Sequence, residues 1–221
     1  LVRVGAAARL ESSAGALSVT ILTALVASAG SDAVAAYGIG SRVTSMVVLP
    51  ALGLARGVET VVGQNLGANQ FDRATRGVTA AVAIIVGCLS LFSVAVYFLS
   101  EPIIGVFISG AGEAVVTAIG AEYLRIVGVS YAFLGVFYVV QGGFRGSGNT
   151  RLAMVFAFIG FIVFRSLFAY VFAVPGGLEA TGIWYGEALA NALMALLVVA
   201  YFLRGRWSRR VIDDESATPS A

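Results

Sequence analysis

The sequence contains no histidine, no lysine and one cysteine, Cys88, and only 12% of its 221 residues are charged. Soluble domains carry roughly 25% charged residues, so half the usual complement is missing. Without histidine and with a single cysteine, the common zinc sites, His-based hydrolytic triads and disulfide frameworks lack their parts. The 14 basic residues are all arginine and stand against 12 acids. That near balance offers no basic patch for nucleic acid. What is present in abundance is apolar: 59% of residues fall in the set AVILMFWYC. These proportions predict an all-α, polytopic membrane protein.

A helix crossing ~30 Å of hydrocarbon needs about 20 mostly apolar residues. Six stretches qualify, at about 10–31, 33–66, 75–100, 117–144, 151–175 and 180–203. An even number returns both ends of the chain to one side. Arginines collect on cytoplasmic flanks of short loops. Here they mark alternate connections: Arg3 and Arg9 before the first span, Arg73 and Arg76 after the second, Arg145 and Arg151 after the fourth, and Arg204, Arg206, Arg209 and Arg210 after the sixth. The other connections hold Asp32, Glu101, Glu113 and Glu179. Both termini are therefore expected in the cytoplasm, with the chain multi-pass in the cell membrane. Arg3, Arg9 and the Ala27-Ser28-Ala29 triplet also imitate a cleaved secretory signal. Glu11 at the mouth of the apolar stretch, and the loss of charge alternation that removing a span would cause, argue against it. Residues 1–209 are read as one six-helix lobe and 210–221, opening on Asp213-Asp214-Glu215, as a disordered cytoplasmic tail.

Glycines recur at GxxxG spacing at Gly53/Gly57, Gly63/Gly67 and Gly142/Gly146, which lets helices approach closely in lipid. Three stretches go further: AVAAYGIGSRVTSMVVLPALGLARGVETVVGQNLGANQFDRATR from Ala33 to Arg76, QGGFRGSGNTR from Gln141 to Arg151, and GIWYGEALANALMALLVVAYFLRGRW from Gly182 to Trp207. In this order they resemble the second half of the multidrug and toxic compound extrusion (MATE) family. The resemblance covers nearly the whole chain and implies the C-terminal six-helix lobe of a twelve-helix transporter. Its partner would be an N-terminal six-helix lobe of the same protein, or a second copy of a natural half-size protein. The implied activity is secondary antiport of small organic cations, with no cofactor beyond Na+ or H+ as coupling ion, and no enzyme chemistry. A lipid-linked oligosaccharide flippase of the same superfamily is the alternative, and a non-transporting membrane scaffold a third. Apart from membrane lipid and substrate no other partner is implied.

Candidate site residues follow from charge and spacing. Gly63, Gln64, Asn65 and Gly67 form the end of the second span, with Gly67 suited to a positive φ and Asp72 to an N-cap. This cytoplasmic hairpin serves as a stiff turn or as a hinge. Arg145, Gly146 and Gly148 sit in a glycine-rich turn that lacks the lysine and preceding strand of a phosphate loop. Ionisable groups at membrane depth are costly and mark partners or pathways. Arg56 and Glu59, and likewise Glu122 and Arg125, are spaced to pair on one helix face. Arg165 lies mid-span, with Glu187 of the last span as its candidate partner. Glu11, Gly15 and Ser18 share a face of the first span, where a carboxylate would attract a cation or exchange a proton, or would simply be interfacial. In the sodium-coupled branch of the family, the resemblance puts cation-binding carboxylates at Gly15 and Leu134, neither acidic here. Tyr131 and Tyr138, with Gln141 beside them, suit flat organic cations in an efflux cavity, or plain bundle packing.

Overall fold

The computed structural model describes residues 2–108, 113–205 and 207, except for the side chains of residues 2–12. The expected tail, 210–221, and the side chain of Glu11 lie outside the described residues. Six helical columns are present among the described residues. The first three are α1 (Val2–Ala27), α2 (Ser31–Gly67) and α3 (Phe71–Gly105). The fourth is a pair, α4 (Glu113–Gly128) and α5 (Tyr131–Gly146), bent by 50°. The fifth runs through α6 (Thr150–Ala157), a π-helical segment (Phe158–Arg165) and α7 (Ser166–Ala173), and the sixth is α8 (Glu179–Leu203). By length and composition four of these helices are fit to cross a membrane, and a fifth if the bent pair counts as one span. In α1 the apolar stretch among the described side chains is Ser13–Ala27.

Two columns differ from expectation. The stretch 117–144, read as one span, starts earlier and breaks at Val129–Ser130. The break consists of small or apolar residues and so left no mark on hydropathy. The stretch 151–175 carries eight residues of π-helix, a wide turn often found at functional sites.

The bundle packs around α5, where eleven of sixteen residues are buried. Lipid supplies no hydrophobic drive between helices, so close backbone approach takes over. A Cβ on Gly142 would collide with the Ala55 carbonyl, and one on Gly146 would stand 2.5 Å from the Glu59 carbonyl. Gly63 meets the Gly146 carbonyl, whereas Gly53 and Gly57 face open space. A further GxxxG pair, Gly182 and Gly186, lets α8 lie against the backbone of α7 at Phe172 and Ala169.

The arginine-bearing turns meet at one end of the bundle. In the α2–α3 turn the positive φ falls on Asn69 (57°), not Gly67, which closes the helix. Gln70 occupies the N-cap and Asp72 the first turn of α3. In the α5–α6 turn Gly148 does take a positive φ of 84°. The Asn149 amide there donates to the Trp207 carbonyl at 2.9 Å, tying this turn to the chain beyond α8. Glu59 does not pair with Arg56, which is exposed; its carboxylate accepts from Arg145 Nε at 3.4 Å, joining α2 to α5. At the opposite end Arg125 pairs with Glu101 at 2.8 Å, and Glu122 accepts from the Thr181 hydroxyl at 3.0 Å. Both expected same-helix pairs thus gave way to neighbours on adjacent helices.

Candidate functional site

Three irregular helices surround one polar centre. Pro50 interrupts the donor ladder of α2, since proline has no N–H to give. The α4–α5 break supplies Ser130 and Tyr131, and the π segment ends on Arg165. These elements place Tyr37 and Thr44 (α2), Tyr123 (α4), Tyr131 (α5), Arg165, and Glu187 and Asn191 (α8) together, all buried. Arg165 Nη2 donates to Glu187 Oε1, and the Tyr123 hydroxyl reaches the same oxygen at 3.5 Å. Thr44 Oγ1 bonds the hydroxyls of Tyr123 at 3.1 Å and Tyr131 at 3.0 Å. Asn191 Nδ2 donates to Ser130 Oγ at 2.9 Å, which in turn donates to the Val127 carbonyl.

Aromatic packing fixes the frame. The Trp184 indole stacks on Tyr37 at 5.7 Å and meets Tyr123 edge-on at 4.8 Å. Gly40 makes this possible: a Cβ there would collide with the Tyr123 ring. Glycine at that position lets Tyr123 lie flat against α2 and reach both Thr44 and Glu187.

Above the network lies a cavity of about 440 Å³, bounded by α1, α2, α4, α5 and the π segment. Tyr37, Tyr123 and Tyr138 give it aromatic walls, Ser41, Thr44 and Ser45 give hydroxyls, and Arg165 is its charged wall among the described residues. Glu187 is fully buried behind Arg165. The positive end of the ion pair therefore faces the cavity, and the negative end faces α8. Such a chamber holds an amphipathic molecule by ring faces and hydroxyls.

The expected site residues divide accordingly. Gly15 and Tyr138 line the cavity, while Tyr131 is buried in the network beneath it. Ser18 is fully buried, with no hydrogen-bond partner for its hydroxyl among the described residues. Gln141 is no cavity wall: its amide donates to the Ala153 carbonyl at 3.1 Å and joins α5 to α6. Arg56 and Glu59 stand apart from the buried charge pair; only Arg165 and Glu187 form it. Gly63, Gln64, Asn65 and Gly67, like Arg145, Gly146 and Gly148, belong to the turns at the far end of α2 and α5. Sequence reasoning missed Tyr37, Thr44, Tyr123, Ser130 and Asn191. The available signal was Asn191 four residues after Glu187, a second polar group on the same face of an apolar helix.

A membrane-embedded helical bundle with a ligand-sized chamber over a buried ion pair defines one class of protein, a unit of an α-helical membrane transporter. Residues 10–171 match the MatE family model, and the chain belongs to that family of transporters. It is 24% identical over 96% of its length to the probable multidrug resistance protein NorM of Thermotoga maritima, covering 45% of that protein. It is 28% identical over 91% of its length to the probable multidrug resistance protein YoeA of Bacillus subtilis, covering 43%. The chain thus spans somewhat less than half the length of these relatives. Among solved structures it resembles MATE in complex with MaL6, with a TM-score of 0.88 at 20% identity, over 93% of this chain and 46% of that one. It also resembles an inward-facing multidrug resistance MATE family transporter of the MOP superfamily, with a TM-score of 0.86 at 20% identity, over 93% and 47%. The fold is that of one lobe of a MATE transporter.

Proposed function

We propose that this chain is one lobe of a secondary antiporter that expels amphipathic organic cations in exchange for Na+ or H+. The second lobe is either another part of the same protein or a second copy. The observation that carries the reading is the tyrosine- and hydroxyl-lined chamber of about 440 Å³, set against a buried ion pair where the helices are interrupted. Discontinuous helices around a mid-membrane site are the usual architecture of ion-coupled transporters, and two lobes rocking about such a site give alternating access. The curated relatives are described as probable multidrug resistance proteins, which agrees with a chamber walled by aromatic rings and hydroxyls. The clustering of Arg73, Arg76, Arg145, Arg151 and Arg204 at one end supports placing that end, with both chain termini, in the cytoplasm.

The test is expression of the complete gene product in cells lacking their own efflux pumps, with ethidium accumulation as readout. Accumulation should fall, and collapsing the Na+ and H+ gradients separately should identify the driving ion. Unchanged accumulation at confirmed surface expression overturns drug export and favours flipping of a lipid-linked oligosaccharide.

A further inference from the structure

The polar centre leaves two acceptors unused. Glu187 Oε2 and Asn191 Oδ1 have no hydrogen-bond partner among the described residues, although both residues are fully buried. They stand one turn apart on α8, and Asn191 is held by its amide against Ser130, inside the α4–α5 break. An ionised carboxylate oxygen sealed from water without a partner is costly. Interrupted membrane helices bring free carbonyl ends to such places, and those ends coordinate Na+ in other transporters. The two unpartnered acceptors are both oxygens, one carboxylate and one amide, and the Ser130 hydroxyl lies against that amide. Among the described residues no three His, Cys, Asp or Glu side chains gather to hold a metal ion. A single carboxylate matches a single positive charge.

We infer that Glu187 is the shared anchor of two cations, the Arg165 guanidinium and a small monovalent ion of the Na+ class, and that the ion's arrival releases Arg165 into the cavity. With Arg165 in place the carboxylate is already neutralised, so a second cation would bury a net positive charge. One cation must leave. Arg165 has the route, because it already forms a wall of the chamber and its Nε has no partner. A guanidinium freed into the chamber raises the positive potential there and repels an organic cation. Ion entry and substrate expulsion become one exchange of charge. The site uses α8 and the helix break rather than positions 15 and 134, which carry glycine and leucine here. The coupling half of this inference rests on the efflux reading above; the ion-binding half does not.

The test uses the purified complete gene product in detergent. It measures Na+-dependent thermal stabilisation, and the effect of Na+ on ethidium binding, against K+ and choline at matched ionic strength. Wild-type protein is expected to be stabilised specifically by Na+, and Na+ is expected to weaken ethidium binding by about fivefold or more, the lower range of site-to-site coupling. Arg165→Gln removes the built-in competitor, so it should bind Na+ more tightly by about the same factor and lose the antagonism while still binding ethidium. Glu187→Gln should abolish the Na+ effect. Asn191→Ala, which leaves the ion pair intact, should weaken it and serves where Glu187→Gln does not fold. Absence of Na+ stabilisation in both wild type and Arg165→Gln overturns the inference and assigns a buried water to the two acceptors. Antagonism that survives in Arg165→Gln overturns the charge exchange. Ethidium export that persists without Na+ binding sinks the inference and leaves the efflux reading standing. Na+ binding without any ethidium binding or export sinks the efflux reading and upholds the ion site alone.

Discussion

The seam between α2 and α5 and the seam that α8 makes with the helix break are built on opposite principles. In the first, Gly142 and Gly146 bring α5 against the backbone of α2 at Ala55 and Glu59. In the second, Glu187 and Asn191 reach Arg165, Tyr123 and Ser130 through polar side chains, and two acceptors stay unused. Backbone packed on backbone gains dispersion at one register only and forfeits it when the helices slide. A polar network keeps its strength by exchanging one partner for another. The dry seam therefore acts as the fixed frame of the lobe, and the polar seam as the place where its state changes.

The sharpest way to break the comparison is at the ion pair. Removing one partner leaves a buried charge without compensation, at a cost of about 3–5 kcal/mol. Arg165→Met, which strands the fully buried Glu187 carboxylate, should therefore lower the thermal unfolding midpoint in detergent more than any other single substitution in the polar seam. The double variant Arg165→Met/Glu187→Leu should regain most of that loss, because apolar residues of similar volume replace buried pairs with little penalty. It should nevertheless fail to lower ethidium accumulation in cells. A double variant as unstable as the single one would show that the pair holds the fold rather than operating it.

The dry seam is tested by one methyl group. Gly142→Ala forces that methyl onto the Ala55 carbonyl, an overpacking expected to cost about 1–3 kcal/mol. Gly53→Ala, where a Cβ meets nothing within 4 Å, is the matched control and should cost nothing. Equal unfolding temperatures for the two would remove the distinction between a packed face and an open one. Gly40→Ala carries the same trial into the polar seam. Its methyl displaces the Tyr123 ring, again for about 1–3 kcal/mol. It should also change the emission of Trp184, which packs on that ring, whereas Gly142→Ala should leave it alone.

Much of this arrangement was legible in the residues. Hydrocarbon thickness dictates where apolar runs start and stop, so the columns and their arginine-marked ends could be read directly. Arg165 and Glu187 were legible as a pair because each is alone in its apolar run and neither can be left bare at depth. The interruptions were not legible. Val129–Ser130 is as compatible with a continuous helix as the residues around it, and π-helix arises from tertiary packing, not from any residue preference. Nor does spacing choose between partners. Arg56 and Glu59 lie within reach on one helix, but Arg145 at the end of α5 supplies a guanidinium across the dry seam instead. The cluster of Tyr37, Tyr123 and Thr44 is not legible in the residues because hydroxyls in apolar helices are common and bond their own backbone as readily as each other, as Thr44 also does to the Gly40 carbonyl.

The smallest expected effect separates the two seams once more. The Arg145–Glu59 contact crosses the dry seam at its arginine-bearing end, with the Glu59 side chain 44% exposed and the atoms 3.4 Å apart. Solvent and salt screen such a pair, and exposed ion pairs are worth about 0–1 kcal/mol. The glycine contacts beside it do not depend on charge. Glu59→Gln should therefore shift unfolding slightly or not at all, and 1 M salt, where screening acts within about 3 Å, should erase any difference from wild type. The Arg165–Glu187 pair, whose carboxylate is fully buried, should keep most of its contribution in the same salt. A large, salt-sensitive loss on Glu59→Gln would mean that the α2–α5 seam is held by charge, and that both seams belong to one polar mechanism.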